Sequence, residues 1–425
     1  MKGLIFKITK FADPFAEAYP LNTFIMNILS DRINHLSESE TLAMSRKSRE
    51  LKALGHDVVN LSLGEPDFFT PDHIKMAAKE ALDKNYTFYP PVAGYPELRE
   101  AICNKLKRDN GLVYTPDQIV VSTGAKQSIA NAVLCLLNPG DEAIIPSPYW
   151  VSYKEVIKLA EAKGVFVPAS IENDFKITPT QLEDAITPRS KIFLFSSPCN
   201  PTGSVYSRDE LKALAEVISK HENIYIISDE IYEQINFIGK HESIAQFDFI
   251  RDRVIIINGV SKGFAMTGWR LGYMAAPKLI AQACDKLQGQ ITSGTCTISQ
   301  RAAIAAMDTV PETSADLKKM LEAFHCRRDM MLGLLNEIPG IKTNIPDGAF
   351  YIFADVKAYY GKSDGKTTIN SGSDLCDYLL DSVYVALVPG VAFGDPDCIR
   401  ISYATSDDKL REAVSRIKGA LLKLN

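Results

Sequence analysis

A lysine stands directly after a buried-looking run in Asn258-Gly259-Val260-Ser261-Lys262-Gly263, which follows Val254-Ile255-Ile256-Ile257. The C-terminal edge of a parallel sheet is where α/β proteins bind ligands. A desolvated amine near other cations loses basicity and becomes nucleophilic. A solvated loop lysine is the plainer alternative. Gly268-Trp269-Arg270 follows, and an arginine there could hold a phosphate dianion through two parallel N–H groups. Asp229, in Ser228-Asp229-Glu230-Ile231-Tyr232, also ends an apolar run. A carboxylate so placed is costly without a positive partner, and a protonated pyridine nitrogen would be one. A helix N-cap is the alternative. In Ser197-Pro198-Cys199-Asn200-Pro201-Thr202-Gly203 two prolines fix the backbone around one amide. That amide can donate to a phenolate or a carboxylate, or the segment is simply a rigid turn. Ser122-Thr123-Gly124-Ala125-Lys126-Gln127 reads as a strand-to-helix turn. Its free N–H groups and positive helix end suit an anion.

The elements that must position these residues are legible as runs rich in Ile, Val and Phe: 119–121, 143–145, 191–195, 225–227 and 254–257. Between them lie amphipathic stretches, such as Ile129, Val133, Leu134 and Leu137 before the stop Asn138-Pro139-Gly140, and Glu210 to Lys220. The alternation predicts an α/β fold with a mostly parallel central sheet buried on both faces. From about residue 311 the texture changes. A long helix over 314–336, β-like runs Ala349–Phe353 and Cys398–Tyr403, and a last helix from Asp407 to about Leu424 predict a smaller α+β domain built from both chain ends. The expected division is an extension over 1–25, small-domain segments 26–74 and 313–425, and a large domain over 75–312. Met26 is expected to be the natural start. All four motifs then fall at strand-to-helix edges of one sheet. A phosphate cradle, a carboxylate, a fixed amide and a lysine are what pyridoxal 5′-phosphate (PLP) chemistry needs.

Composition narrows the alternatives. The 425 residues carry 47 basic and 52 acidic side chains, net −5, without the basic excess of a nucleic-acid binder. No apolar run approaches the ~18 residues of a membrane span. The eight cysteines form no CxxC pair and no metal-spaced cluster, so reduced thiols in a cytoplasmic protein and no metal are expected. No GxGxxG follows a strand, which disfavours a dinucleotide fold.

With these motifs in this order, the chain resembles the class I aminotransferases of PLP fold type I from about Ser39 to the C-terminus. Within them it is most similar to bacterial aspartate aminotransferases of the subgroup that includes prephenate aminotransferases. The motifs that carry the likeness are Ser-Pro-Cys-Asn-Pro-Thr-Gly, Ser-Asp-Glu-Ile-Tyr and Ser-Lys-Gly-Phe-Ala-Met-Thr-Gly-Trp-Arg. The resemblance implies that Lys262 joins the cofactor as an imine and serves as the base of the proton shift. Asp229 would pair with the ring nitrogen, and Tyr232 and Asn200 with the ring oxygen. Trp150 would stack on the ring. Gly124, Ala125 and Arg270 would hold the phosphate, with Lys126 beside them. Tyr89 would reach the phosphate of a neighbouring subunit, so a homodimer with shared sites is implied. For the substrate, Arg400 would fork onto the α-carboxylate and Gly64 would approach it by backbone. Lys126 would meet the distal carboxylate, with Trp150 and Asn200 lining the same site. Ser39 and Thr41 would close over the acidic side chain, or else simply begin a helix. Many relatives carry a hydroxyl residue where this chain has Gly259; Ser261 is left to compensate.

The implied reaction is ping-pong transfer of an amino group between L-aspartate or glutamate and 2-oxo acids. Alternatives are a prephenate or aromatic aminotransferase, a PLP lyase acting at a β- or γ-carbon, and a PLP-binding regulator without turnover. Residues 1–40 are short and weakly basic for the DNA-binding domain such a regulator would carry.

Overall fold

β-branched side chains pack best on a pleated surface, and the Ile- and Val-rich runs all form strands. The computed structural model describes residues 28–38 and 40–425. In chain order the strands are β1 (Val59–Asn60), β2 (Ile119–Ser122), β3 (Glu142–Ser147), β4 (Lys163–Pro168), β5 (Ser190–Ser196), β6 (Tyr225–Asp229), β7 (Val254–Gly259), β8 (Gly272–Ala275), β9 (Tyr351–Asp355), β10 (Val385–Ala386), β11 (Val388–Pro389) and β12 (Cys398–Ser402). Seven make one sheet in the order β2-β8-β7-β6-β5-β3-β4. Its pairs are parallel except at β8, which runs antiparallel to β2 and β7. The fold is the expected α/β class with a mostly parallel central sheet. Strands β2, β3 and β7 are buried at every position. Burying each Ile or Val side chain contributes roughly 1.5–3 kcal/mol.

Helices cover both faces. Ala125–Leu136 turns Ile129, Ala132 and Val133 inward, at the spacing of one helical face, and joins a core with Ile145, Ile227 and Ile257. It stops before Gly140, whose φ of +87° a side chain would resist. Arg208–Ser219 starts where Ser207 accepts from the Glu210 amide and the Glu210 carboxylate accepts from the Ser207 amide. A second, antiparallel sheet is ordered β11-β12-β9, and the parallel pair β1-β10 joins residues from both halves of the chain. Helices Ala315–Asn336, Gly372–Val383 and Asp407–Leu421 pack with them.

Small departures have local causes. The run expected from Ala349 enters strand geometry only at Tyr351, because Ala349 has φ +56°. The last helix ends at Leu421 rather than near Leu424. β4 and β8 were not expected as strands. Among the described residues no helix is long and apolar enough to cross a membrane. The extension 1–25, Met26 and Ser39 lie outside the described residues.

Candidate active site

Brought to one edge of the large sheet are the turns after β2, β3, β5, β6 and β7, and facing them are Tyr351 of β9 and Arg400 of β12. Between them lies a cavity of about 250 Å³. It is lined by Ala125 and Lys126 after β2, Trp150 after β3, Asn200 after β5, Asp229 at the end of β6 and Tyr232 after it, and Ser261, Lys262 and Arg270 after β7. Gly64 and Thr41 complete the rim. This is the crevice outside the carboxyl ends of the strands where open α/β sheets take ligands.

Lys262 is partly buried, and its Nζ donates to the Gly64 carbonyl at 2.5 Å. It lies 5.8 Å from the Tyr232 ring centre and 6.0 Å from that of Phe350. Burial first, then the charges of Arg400 and Arg270, lower its pKa to about 8, with Glu65 and Asp229 opposing. Asp229 is buried at the end of β6. Burial pushes its pKa up to about 6, against the hydrogen bond donated by Tyr153 Oη to Oδ2 at 2.7 Å and that of the Ile231 amide.

Arg400 is only 2% exposed and has no carboxylate partner among the described residues. Nη1 donates to Asn200 Oδ1 at 3.0 Å and Nη2 to the Ser62 carbonyl at 2.6 Å, while Nε is buried with no partner. Tyr351 and Phe393 flank the guanidinium at 4.5 and 4.9 Å. A buried charge left uncompensated is costly, so this arrangement suits an arriving anion. Tyr232 Oη and Tyr351 Oη share a hydrogen bond of 2.8 Å.

At the turn after β2, Gly124 has φ +83° and caps Ala125–Leu136. A Cβ there would run into the Arg270 guanidinium, and one at Gly272 would run into the Ala125 backbone. Glycine at both positions therefore lets Arg270 and the helix N-terminus meet, which forms an anion cradle. Lys126 Nζ stands 5.0 Å over the Trp150 ring. Lys126, Lys262, Arg270 and Arg400 give the cavity four cations; Asp229 is the carboxylate among its lining residues.

Tyr89 does not join the cavity of its own chain: it is 93% exposed, next to Phe88 at 80%. Gly259 has a packing reason. It pairs with Gly272 across β7 and β8, and a Cβ at 259 would lie 2.8 Å from Gly272 Cα and 2.9 Å from the Leu271 carbonyl. Sequence reasoning missed Tyr153, Tyr351 and the Ser62 carbonyl. Tyr153 had a usable signal: it follows Trp150 by three residues into Ser152–Leu159, one helical turn on.

The family model for aminotransferase class I and II matches residues 56–417. The bifunctional aspartate aminotransferase and glutamate/aspartate-prephenate aminotransferase of Petunia hybrida is 49% identical over 398 residues, 93% of this chain and 83% of that one. The aspartate/prephenate aminotransferase of Cereibacter sphaeroides is 47% identical over 403 residues, 92% of this chain and 98% of that one. Among solved structures, the aspartate aminotransferase from Rhizobium meliloti superposes with a TM-score of 0.90 at 40% identity, covering 93% of this chain and 99% of its own.

Proposed function

The chain belongs to the class I and II aminotransferases, and we propose that it is a PLP-dependent aspartate aminotransferase that uses 2-oxoglutarate or oxaloacetate as the partner oxo acid. The observation that carries this reading is the buried Arg400, without a carboxylate partner among the described residues, lining one cavity with Lys126 and Lys262. Two cations beside an amine of lowered basicity suit a dicarboxylic amino acid.

The donor set fits PLP. Gly124, Ala125 and Arg270 would take the phosphate, since the glycine leaves room for the guanidinium beside the helix N-terminus. Ser261 adds a hydroxyl to the same wall. Asp229 would hold a cationic ring nitrogen, with Tyr153 keeping its carboxylate oriented. Tyr232 and Asn200 would face the ring oxygen, and Trp150 the ring. When bound, the cofactor supplies an electron sink for the substrate α-carbon. Lys262, with a pKa near 8, is unprotonated in part at neutral pH and can take the α-proton and return it. Arg400 would grip the α-carboxylate through the N–H groups its present partners leave free, beside the Gly64 backbone. Lys126 would meet the distal carboxylate near Thr41.

The exposed pair Phe88 and Tyr89 supports a homodimer in which Tyr89 reaches the partner's phosphate site. The same reading divides the chain into a large part, 75–312, and a smaller one from 26–74 and 313–425. Eight cysteines without a disulfide support a cytoplasmic setting. Prephenate is the second reading: it is also a dicarboxylate, and Leu42 and Val151 offer apolar wall to its ring.

The test is the absorbance of the PLP-loaded protein. L-Aspartate alone should convert the visible band to one at shorter wavelength, and 2-oxoglutarate should restore it. A band that ignores aspartate and answers prephenate would favour the second reading. No band after adding PLP would refute the assignment of Lys262.

A further inference from the structure

The turn that carries Asp229, Ile231 and Tyr232 into the cavity leaves Glu230 and Glu233 off its wall. Both glutamates are buried. Glu230 accepts from Ser228 Oγ at 2.8 Å and Ser243 Oγ at 2.7 Å, and pairs with His241 Nε2 at 3.0 Å. Glu233 pairs with Lys105 Nζ and accepts from Asn110 Nδ2 at 3.2 Å. Lys105, itself buried, also donates to Asn110 Oδ1 at 2.9 Å and lies 3.9 Å from Asp109, which Arg108 holds. The phenols of Tyr114 and Tyr273 close the cluster.

The glutamate and imidazole ligand atoms lie within 4.8 Å of one another. Lys105 already supplies a cation here. With His241 protonated, the carboxylates of Glu230, Glu233 and Asp109 meet the cations Lys105, Arg108 and His241. With His241 neutral, one carboxylate would be unmatched in the interior, which is costly. The His241 side chain is 6% exposed.

We propose that Glu230, Glu233 and His241 are positioning residues: from behind the cavity they pin the turn bearing Asp229 and Tyr232, and the charge of the Glu230–His241 pair sets how readily Asp229 ionises. The electrostatics agree. Burial is the main cause that raises the Asp229 pKa, and the Glu230 carboxylate adds to it. Burial makes His241 less basic, but Glu230 and Glu233 outweigh this and Lys105, leaving its pKa above the usual value. The imidazolium therefore screens Glu230 from Asp229.

The consequence for cofactor binding rests on the PLP reading; the electrostatic claim does not. PLP affinity would be measured by tryptophan fluorescence from acid to neutral pH for wild type, Glu230→Gln, His241→Gln and the double variant. Asp229 must be ionised to hold the ring nitrogen, so affinity should fall with pH through an acid midpoint. Glu230→Gln removes a negative neighbour and should move that midpoint down by about one pH unit, the usual effect of an adjacent charge. His241→Gln unmasks Glu230 and should move it up. The double variant should lie near wild type. Loosened packing alone would shift all three the same way, and that result, or no shift, overturns the proposal. If His241→Gln does not fold, Glu230→Gln alone decides: a midpoint that moves down supports the proposal, and one that moves up or stays in place overturns it. Infrared titration of the cofactor-free proteins, reading the carboxyl band that Asp229→Asn removes, should move in the same directions. If wild type binds no PLP, the functional reading fails while the infrared result still decides this one.

Discussion

Replacing Arg400 by lysine keeps the charge and removes the fork. In the structure Nη1 and Nη2 are tied to Asn200 and Ser62, so an incoming carboxylate must use the remaining N–H groups, including the unpartnered Nε. A lysine has one nitrogen and cannot serve Asn200, Ser62 and a carboxylate with the same geometry. It loses one or two charge-assisted hydrogen bonds in a buried setting, each about 1.5–3 kcal/mol. One such loss corresponds to a fall of roughly tenfold or more in kcat/KM for L-aspartate, and two to roughly a hundred- to ten-thousand-fold. PLP affinity should stay near wild type, because Arg400 is proposed to hold the substrate carboxylate rather than the cofactor. The assay is steady-state transamination with fluorescence titration of PLP and a thermal melt as controls. A less than roughly fivefold change in kcat/KM in a folded, PLP-loaded variant would show that the fork does not grip the substrate.

Tyr153→Phe removes the 2.7 Å bond to Asp229. Losing about 1.5–3 kcal/mol of charged hydrogen bonding raises a carboxyl pKa by roughly one to two units. Asp229 starts at about 6, so its titration should move toward neutrality; PLP binding should weaken at pH 7 and recover in alkali, and an unmoved acid limb would count against the role. Lys126→Met should lower kcat/KM for aspartate by roughly ten- to a hundredfold, the loss of one charged hydrogen bond of about 1.5–3 kcal/mol to the distal carboxylate, and leave alanine nearly unchanged; an equal loss for both would make Lys126 a cofactor residue instead. Gly259→Ser should lower the melting temperature and not tighten PLP, because its Cβ meets the Gly272 and Leu271 backbone; overpacking of this kind costs roughly 1–3 kcal/mol.

Much of the site was readable because it sits at strand ends. Val254–Ile257 predicts β7, and with it the edge that carries Lys262; the same logic places Asp229 at the end of β6 and Asn200 after β5. What escaped is what the chain joins over long separations. The bond from Arg400 to Ser62 spans 338 residues, and the pair Tyr232–Tyr351 spans 119. No local period encodes either. β8 escaped for another reason: Gly-Tyr-Met-Ala has no β-branched residue, and its glycine is there for close approach to the Ala125 turn. β4 is an edge strand with exposed positions, so its pattern lacks the continuous apolar run that marked its neighbours.

The charge pattern connects binding to the proton step. Arg400 and Arg270 are among the causes that keep Lys262 less basic than a free lysine, second only to burial. Under the proposed roles these are the groups that would meet the substrate carboxylate and the phosphate. An anion bound to Arg400 offsets its field, so the repulsion that lowers the Lys262 pKa weakens when substrate arrives. The amine is then least basic in the empty site, where an unprotonated nucleophile is needed, and more basic once a substrate carboxylate is in place, where a proton must be taken from carbon. Asp229 has the complementary problem: burial favours its neutral form, yet its role requires a charge. Tyr153 on one side, within the cavity wall, and the screened Glu230 on the other, behind it, set that balance.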